Sequence, residues 1–239
     1  MFNKIRNKIH ILQNIYLKNK YFIKKKSYAM DGEDLAIDQY IEKKEKGFYL
    51  DIGAHHPIHR NNTQLLFNKG WSGINIDVNQ FSIDLFNFLR PNDLNLLTAI
   101  SDHEGEITFY YQKKFSPLNT TDKNIAHEHF NGNFNERLVK CQSIHNILIN
   151  SKYKEVKIDF LNIDVEGSEL KVIEGIDLKK YHPNLITIEN NNLLLEDYLK
   201  DNVYKKLTSN DYVFINKIGV TNFFLDKNLS GKISRLIEI

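Results

Sequence analysis

Acidic residues close three of the apolar runs in this sequence, at Asp51, Asp77 and Asp164. Each run is rich in Ile, Leu or aromatic residues and has the length of a buried strand. Ligands of α/β proteins bind at the carboxyl ends of the parallel strands. The three carboxylates are therefore candidates for one common site.

Asp77 occupies the position with the most specific chemical expectation. In nucleoside and dinucleotide sites, an acid at the end of the second strand accepts hydrogen bonds from ribose hydroxyls. A carboxylate suits this role because both vicinal hydroxyls are donors. The alternative is that Asp77 caps a helix or is solvated in a loop. The ribose role is favoured because Asp77 ends an otherwise apolar strand.

The turn after the first strand restricts the class of cofactor. Gly53 is followed by His55, His56 and Pro57, so the Gly-x-Gly-x-x-Gly pattern that lets a pyrophosphate approach is missing. The Gly-x-x-x-x-Gly-Lys-[Ser/Thr] pattern of phosphate loops is also missing. A cofactor that has a ribose and no phosphate fits better, and S-adenosylmethionine is the common one.

Carboxylates and histidines at strand ends can act as a general base or hold a metal ion, and either would assist a transfer of a group to a hydroxyl. In one scheme the base is Asp164, Glu166 or His56. In the other, Asp164 and Glu189, with Asn190, hold magnesium or manganese, because oxygen ligands from adjacent strand ends suit these cations. The structural alternative is that the acids only cap the helices that follow.

Three histidines, His55, His56 and His59, share one short turn. No cysteine and no pair at i and i+4 on a helix supports a zinc site among them. A general-base role for one of them is favoured over a metal site.

Strands and helices alternate from residue 48 onward, which predicts a mainly parallel sheet with helices on both faces. The predicted strands are 48–52, 73–77, 94–100, 106–111, 138–143, 158–163 and 185–188, with a terminal hairpin of 212–215 and 222–225. The predicted helices lie within 27–46 and at 63–70, 81–89, 144–150, 169–175 and 193–207.

Residues 1–26 depart from this alternation, with eight Lys or Arg, no Asp or Glu, and apolar residues at helical spacing. The pattern predicts a basic amphipathic helix ahead of one catalytic domain at 27–239. Docking to an anionic membrane or another protein is one interpretation. A helix packed on the domain edge, or a loose leader, is the favoured alternative.

Residues 113–135 are polar and lack sustained periodicity, so we predict a long loop. Loops of this length are usually functional lids or disordered segments. The predicted contacts on the substrate side are Ser116, Thr120, Thr121, His127 and His129.

The composition excludes several classes of protein. The chain has 239 residues, of which 41% are hydrophobic and 26% charged, as expected for one soluble domain. The net charge of +2 requires no nucleic-acid partner. The single cysteine, Cys141, excludes an internal disulfide and fits a reducing compartment, so a cytoplasmic location is expected.

Four motifs together resemble the FkbM family of methyltransferases, and they are Asp51–Pro57, Asn62–Thr63, Gly70–Asp77 and Ile163–Glu169. The resemblance covers about residues 47–224. It implies an S-adenosylmethionine-dependent enzyme with a seven-stranded, Rossmann-like fold. Members of this family are generally O-methyltransferases of sugars and natural products.

The resemblance also implies roles for individual residues. Asp51 and Gly53 would line the methionine end of the cofactor, Asp77 would hold the ribose, and Asp102 would lie near the adenine. The cofactor-binding candidates are Asp51, Gly53, Ala54, His55, Thr63, Asp77, Ser101, Asp102 and Asp164. The methyl group and the acceptor are expected to meet at Asp164 and Glu166.

The expected function is O-methylation of a sugar hydroxyl, free or nucleotide-linked, in the synthesis of a bacterial surface polysaccharide such as capsule or lipopolysaccharide. One alternative is methylation of an amine, a phosphate, a lipid head group or a natural product. Another is a non-catalytic partner protein that keeps the cofactor fold. The sequence also leaves a homo-oligomer open. No Asn-Pro-Pro-Tyr or Asp-Pro-Pro-Tyr motif is present, which disfavours methylation of nucleic-acid bases.

Overall fold

The computed structural model describes residues 2–18, 27–41, 44–113, 115–190 and 195–233. The strands are β1 (Phe48–Ile52), β2 (Ser72–Asp77), β3 (Leu94–Leu97), β4 (Ala99–Ile100), β5 (Gly105–Tyr111), β6 (Asn135–Gln142), β7 (Phe160–Ile163), β8 (Leu185–Glu189), β9 (Tyr212–Ile218) and β10 (Thr221–Asp226). The helices are α1 (Phe2–Leu12), which continues into a π-helical segment (Gln13–Lys18), α2 (Glu33–Tyr40), α3 (Gln64–Asn68), α4 (Gln80–Leu89), α5 (Lys123–Phe130), α6 (Ile144–Ile149), α7 (Glu169–Glu174), α8 (Leu178–Tyr181), α9 (Leu195–Tyr198), α10 (Asn202–Thr208) and α11 (Lys227–Ile233).

The main sheet has seven strands in the order β3-β2-β1-β7-β8-β10-β9. The first five of these run parallel, and β10 pairs antiparallel with both β8 and β9. This confirms the predicted Rossmann-like methyltransferase fold with its terminal hairpin. The chain order reverses beside β1, because β2 and β3 lie on one side of it and β7 and β8 on the other. A reversal of this kind opens a crevice at the strand ends.

Strand β1 is buried on both faces, as its continuous apolar sequence predicts. Leu50 and Ile52 pack in one core cluster, and Tyr49 packs in the other with Trp71 and Phe160. Because alternate side chains point to opposite faces, a single strand joins both halves of the core.

A row of polar side chains crosses the centre of this apolar sheet. Asn75, Asp51, Asn162 and Thr187 are paired across neighbouring strands, and all four are buried. Asn162 donates to Asp51 Oδ1 at 2.9 Å, and Thr187 donates to Asn162 Oδ1 at 2.8 Å. Each polar group is therefore supplied with a partner, as burial requires.

The predicted strand 94–100 was wrong as a single element. Its first part, β3, pairs with β2, but Ala99 and Ile100 pair with Cys141 and Gln142 of β6 in a separate sheet of order β4-β6-β5. Thr98 lies at the junction, where its backbone N–H still bonds Asp77 O at 3.1 Å while its hydroxyl bonds Lys140 O. The chain leaves the main sheet here.

Two further predictions need correction. The region 113–135 is not one loop, because α5 lies within it and begins at Asp122, whose side chain accepts from two backbone N–H groups of the first turn. The predicted helix 193–207 is divided into α9 and α10, with Asp201 capping the second. Residues 191–194 lie outside the described part of the chain.

The predicted basic helix at 1–26 appears as α1 and its π-helical continuation. Residues 19–26, which include the cluster Lys24–Lys26, lie outside the described residues. Within the ranges that are described, every helix is too short or too polar to cross a bilayer.

Arg90, which follows α4, is fully buried beneath the turn after β1. Its guanidinium donates to five groups at 2.7–3.0 Å, which are Tyr49 Oη, Pro57 O, Asn61 Oδ1, Thr63 Oγ1 and Gln64 Oε1. Asn61 and Thr63 donate in turn to Asp51 Oδ2 at 3.2 and 2.9 Å. One buried cation thus ties the turn to both β1 and α4.

We predict that Arg90→Met lowers the free energy of unfolding by about 3–5 kcal/mol, because it leaves the Asp51 charge and several acceptors buried without their partner. Urea unfolding followed by circular dichroism measures the change, with the exposed Arg6→Met as the control. Arg90→Lys keeps the charge but loses the planar guanidinium that bonds several acceptors at once. Its free energy of unfolding is expected to lie between those of Arg90→Met and Arg6→Met. Equal unfolding midpoints for Arg90→Met and Arg6→Met would contradict this role.

Candidate functional site

A cavity of about 270 Å³ lies at the carboxyl ends of the main parallel strands. Its lining combines residues that follow β1, β2, β7 and β8 with residues of β5 and of the segment after it. Among the lining residues are Gly53, His55, Asp77, Val78, Ile100, Phe109, Ser116, Thr120, Thr121, Asp164, Glu166 and Glu189.

Gly53 allows the turn after β1 to pass directly against the end of β7. Its φ is +80°, and a Cβ at this position would lie 1.6 Å from Asp164 O. The N–H groups of Gly53 and Ala54 both bond Ile76 O, at 2.9 and 3.0 Å. Only glycine meets both the positive φ and the lack of space.

Asp77 both organises the turn and faces the cavity. Its Oδ2 accepts from the His55 N–H at 2.8 Å, and its Oδ1 accepts from the Asn79 N–H at 2.7 Å. Burial raises the pKa of Asp77 to about 6, so the carboxyl is mostly ionised at neutral pH. A side-chain hydrogen bond from Ser82 also stabilises the charged form, so three protein groups donate to the two oxygens. The acceptor capacity that remains is available to a ligand hydroxyl. The proposed capping and ribose roles are therefore compatible.

The cavity wall beside Asp77 is apolar, with Val78, Ile100 and Phe109 in the lining. A carboxylate next to an apolar wall fits a nucleoside, whose sugar is a hydrogen-bond donor and whose base is a flat ring. The chemistry of these residues therefore fits an adenosine group.

His55 is held at the inner end of the turn in a left-handed conformation, with φ of +49°. Its ring stacks on Phe115, with 4.5 Å between the ring centroids. Burial, with smaller contributions from the nearby His59 and Arg60, lowers the pKa of His55 to about 4. The ring is therefore neutral at physiological pH.

Three carboxylates meet at the other end of the cavity. Asp164, Glu166 and Glu189 each offer an oxygen within 4.8 Å of the other two. Burial raises the pKa of Asp164 well above its usual range, and the neighbouring Glu189 adds to this. Burial also raises the pKa of Glu166 to about 8, with smaller contributions from Glu189 and Glu169. Such a cluster holds either protons or a hard cation.

The segment after β5 covers this carboxylate cluster. Thr120 Oγ1 donates to Glu166 O, and the hydroxyls of Thr121 and Ser168 share a hydrogen bond of 2.7 Å. A Cβ on Gly167 would lie 2.7 Å from the Ile125 side chain, so α5 begins directly against the turn. The segment that was predicted as a loop is therefore in contact with the turn that carries Glu166.

The predicted contacts on the substrate side divide into two groups. Ser116, Thr120 and Thr121 line the cavity. His127 and His129 belong to α5 and lie outside the cavity lining, where His127 packs against the ring of Phe134.

Two predicted cofactor residues, Asp51 and Thr63, lie in the buried network rather than in the cavity lining. Burial raises the pKa of Asp51, while the hydrogen bond from Asn162 and the charge of Arg90 oppose that shift. In the structure these side chains hold the strands and the turn that shape the site.

The remaining predicted residues outside the lining are Ala54, His56, Ser101, Asp102 and Asn190. His56 is buried, and its Nδ1 accepts from the N–H groups of Ile58 and His59, so this nitrogen is engaged in the turn. Asp102 is half exposed and bonds His103 and Ser101.

Sequence reasoning missed several lining residues, notably Met30, Glu33, Arg60, Asn62 and Thr221. Glu33 is buried in the first turn of α2, where its sequence position indicates only a favourable contact with the helix dipole. None of these residues follows a strand of the parallel sheet directly. Asn62 alone carried a signal, since it belongs to one of the four motifs.

Residues 51–214 match the methyltransferase FkbM domain. This chain belongs to the FkbM methyltransferase family. The matched range includes every strand-end acid described above. The resemblance carried by the four motifs is thereby confirmed.

Two other comparisons add little to this assignment. The crystal structure of monomeric WbdD is similar over 89% of this chain and 45% of that chain, with 11% sequence identity and a TM-score of 0.48. This chain therefore spans less than half of that structure. A comparison with curated proteins found no match.

We predict that Gly53→Ala destabilises the protein far more than Gly70→Ala. Both positions have positive φ, but a Cβ on Gly70 meets nothing within 4 Å. Gly70→Ala should therefore cost only the conformational strain, about 1–2 kcal/mol. Gly53→Ala adds the overlap with Asp164 O, so its thermal unfolding midpoint should fall much further. Equal shifts of the thermal unfolding midpoint for the two variants would refute the close approach of Gly53 to Asp164 O.

We predict that Glu166→Gln stabilises the ligand-free protein increasingly as the pH rises. The raised pKa of Glu166 gives the folded state a stability contribution that is complete below about pH 4.5 and is lost through about pH 8. The glutamine variant has no such loss, so its free energy of unfolding minus that of the wild type should grow between pH 5 and 9. Urea unfolding across this range measures the difference, with the exposed Glu155→Gln as control. A constant difference for Glu166→Gln would contradict the assignment.

Proposed function

We propose that this FkbM methyltransferase transfers the methyl group of S-adenosylmethionine to a hydroxyl oxygen of a sugar. The observation that carries the proposal is a single cavity with Asp77 and an apolar wall at one end and three carboxylates at the other. When bound, S-adenosylmethionine supplies an electrophilic methyl group on a sulfonium centre. The residues of the chain then have to bind the cofactor, orient the acceptor and remove the proton of its hydroxyl.

The cofactor end of the cavity has the groups that an adenosine needs. Asp77 accepts the ribose hydroxyls through the lone pairs that its hydrogen bonds within the protein leave unused. Val78, Ile100 and Phe109 offer an apolar surface to the adenine. A neutral His55 adds no positive charge beside a cationic cofactor.

The acceptor end suits a polyhydroxylated molecule. Its carboxylates are hydrogen-bond acceptors, and Asn62, Thr120 and Thr121 add further polar groups. Sugar hydroxyls are donors that such groups can orient, and orientation supplies much of the rate in a direct displacement. Three clustered carboxylates also repel a phosphate placed directly against them, which disfavours a phosphate oxygen as the group that is methylated. They would attract an amine, which makes an amine the second candidate acceptor.

Glu166 is our proposed general base, with Asp164 as its partner in the cluster. A pKa of about 8 brings the carboxyl close to the operating pH and strengthens it as a proton acceptor. The competing scheme has Asp164, Glu166 and Glu189 holding magnesium or manganese, for which an oxygen-only ligand set is suitable. The cation would then orient the acceptor and lower the pKa of Asp164 and Glu166.

The substrate class we propose is a precursor of a bacterial surface polysaccharide, either a free or a nucleotide-linked sugar. The support is the acceptor-rich chemistry of the cavity together with membership of the FkbM family. A cytoplasmic location is part of the same proposal, because nucleotide-linked sugars are made in that compartment.

We predict that the protein binds S-adenosylhomocysteine and that Asp77→Asn weakens this binding about 10–100-fold, since hydrogen bonds to a charged group contribute about 1.5–3 kcal/mol each. Isothermal calorimetry measures both affinities. Asp197→Asn is the matched control, because this aspartate is exposed and lies outside the cavity lining, so the variant should bind S-adenosylhomocysteine like the wild type. A wild-type protein that shows no binding would sink the proposed cofactor.

We predict that the rate of methyl transfer rises with pH and reaches half its maximum near pH 8 in the presence of chelator, because Glu166 must be ionised. Glu166→Gln should lower kcat by about 10²–10⁴-fold, and Glu155→Gln should leave it unchanged. Transfer of a labelled methyl group to a panel of sugars, nucleotide sugars and amines gives the readout. If chelator abolishes turnover and added magnesium restores it with a midpoint well below pH 8, the cation scheme replaces the base scheme.

A further inference from the structure

Helix α1 is fixed against α4 by one face only. Ile11, and Ile15 from the π-helical continuation, are buried with Leu85 in a small apolar cluster. The His10 ring stacks on Phe81, with 4.5 Å between centroids. These contacts define which side of α1 is turned toward the domain and which side is turned away.

The outward side of α1 carries a row of apolar residues. Ile5, Ile9 and Leu12 are 50%, 52% and 44% exposed, although they are spaced four and three residues apart and so lie on one face of the helix. Tyr16 and Leu17 continue the exposed apolar surface into the π-helical segment, at 55% and 58%. A continuous apolar row on a folded surface marks an interaction site, unlike isolated exposed apolar residues.

Basic residues flank this row. Lys4, Arg6 and Lys8 are exposed among the apolar positions. Residues 1–26 hold eight Lys or Arg and no acid, while the rest of the chain holds 24 Lys or Arg and 30 Asp or Glu. The positive charge of the protein is therefore concentrated in residues 1–26, of which α1 carries Lys4, Arg6 and Lys8, and the rest of the chain is acidic.

The contacts of α1 extend to the cavity. Phe81 packs edge-on against Phe115, with 5.1 Å between centroids, and Phe115 stacks on His55. Helix α1 is therefore packed against the folded domain and is part of it. Its apolar row is exposed as a property of the native structure.

We propose that this face of α1 docks the enzyme onto an anionic lipid surface. An exposed apolar row with flanking lysine and arginine is the pattern of a helix that lies in the membrane interface. Anionic head groups attract the basic residues, each contributing about 1 kcal/mol, and the acidic remainder of the chain is repelled, which orients the domain. A second copy of the chain is a poorer occupant, because it would bring two basic faces together.

Co-sedimentation with lipid vesicles tests the proposal. The full-length protein should bind vesicles of equal phosphatidylglycerol and phosphatidylcholine, and binding to pure phosphatidylcholine should be at least about tenfold weaker. The triple variant Ile5→Ser, Ile9→Ser, Leu12→Ser should lose about tenfold or more, and so should Lys4→Gln, Arg6→Gln, Lys8→Gln.

Matched variants at exposed positions elsewhere show whether a loss of vesicle binding is specific to this face of α1 or follows from any loss of apolar or positively charged surface. Leu138→Ser, Ile149→Ser, Leu199→Ser controls the apolar change, and Lys154→Gln, Lys157→Gln, Lys179→Gln controls the charge change. Both controls should bind anionic vesicles like the wild type, and circular dichroism checks that every variant is folded. The result does not depend on the proposed methyl acceptor.

Three results would overturn the proposal. They are no binding of the wild type to anionic vesicles, an equal loss in the control variants, and a lipid-independent dimer in sedimentation velocity that the Ile5, Ile9 and Leu12 variant converts to monomer. The last result would assign the face to a second copy of the chain.

Discussion

The site depends on one buried interaction, the network that joins Arg90 to the turn after β1 and, through Asn61 and Thr63, to Asp51. Removing a guanidinium and a carboxylate from water is unfavourable unless nearly every polar atom is paired. Here several of the pairing partners, Pro57, Asn61 and Thr63, belong to the turn itself. The turn therefore keeps its shape without the successive glycines of dinucleotide-binding proteins.

That shape determines how the two ends of the cavity differ. The His55 N–H is directed at Asp77, which fixes the carboxylate where a ribose would bind, and Gly53 brings the same turn against Asp164. At the opposite end, Glu166 lies in a left-handed turn with its carboxyl crowded by others. A strained backbone and a carboxyl with a raised pKa are both unfavourable, and the surrounding fold has to stabilise them. Such features recur at active sites.

Much of the fold can be predicted from the sequence, because the spacing of the apolar residues matches the side chains that are buried in the structure. Strand β1 was predicted at its observed bounds, and Asp77 and Asp164 were predicted at cavity-lining positions. Asp51 looked equivalent to them, yet it lies before the last residue of its strand and its side chain joins the buried polar row. Strand-end position alone does not distinguish an acid that faces a ligand from one that faces its neighbours. Likewise, α5 was missed because only Ala126 and Phe130 in it are buried, which is too weak a period to detect.

A structure of the protein with S-adenosylhomocysteine tests the central claim most directly. The account predicts both ribose hydroxyls on the Asp77 carboxylate, the adenine against Val78, Ile100 and Phe109, and the sulfur directed toward Asp164 and Glu166. A ligand bound away from Asp77, or bound there with its sulfur facing away from the carboxylate cluster, would contradict it.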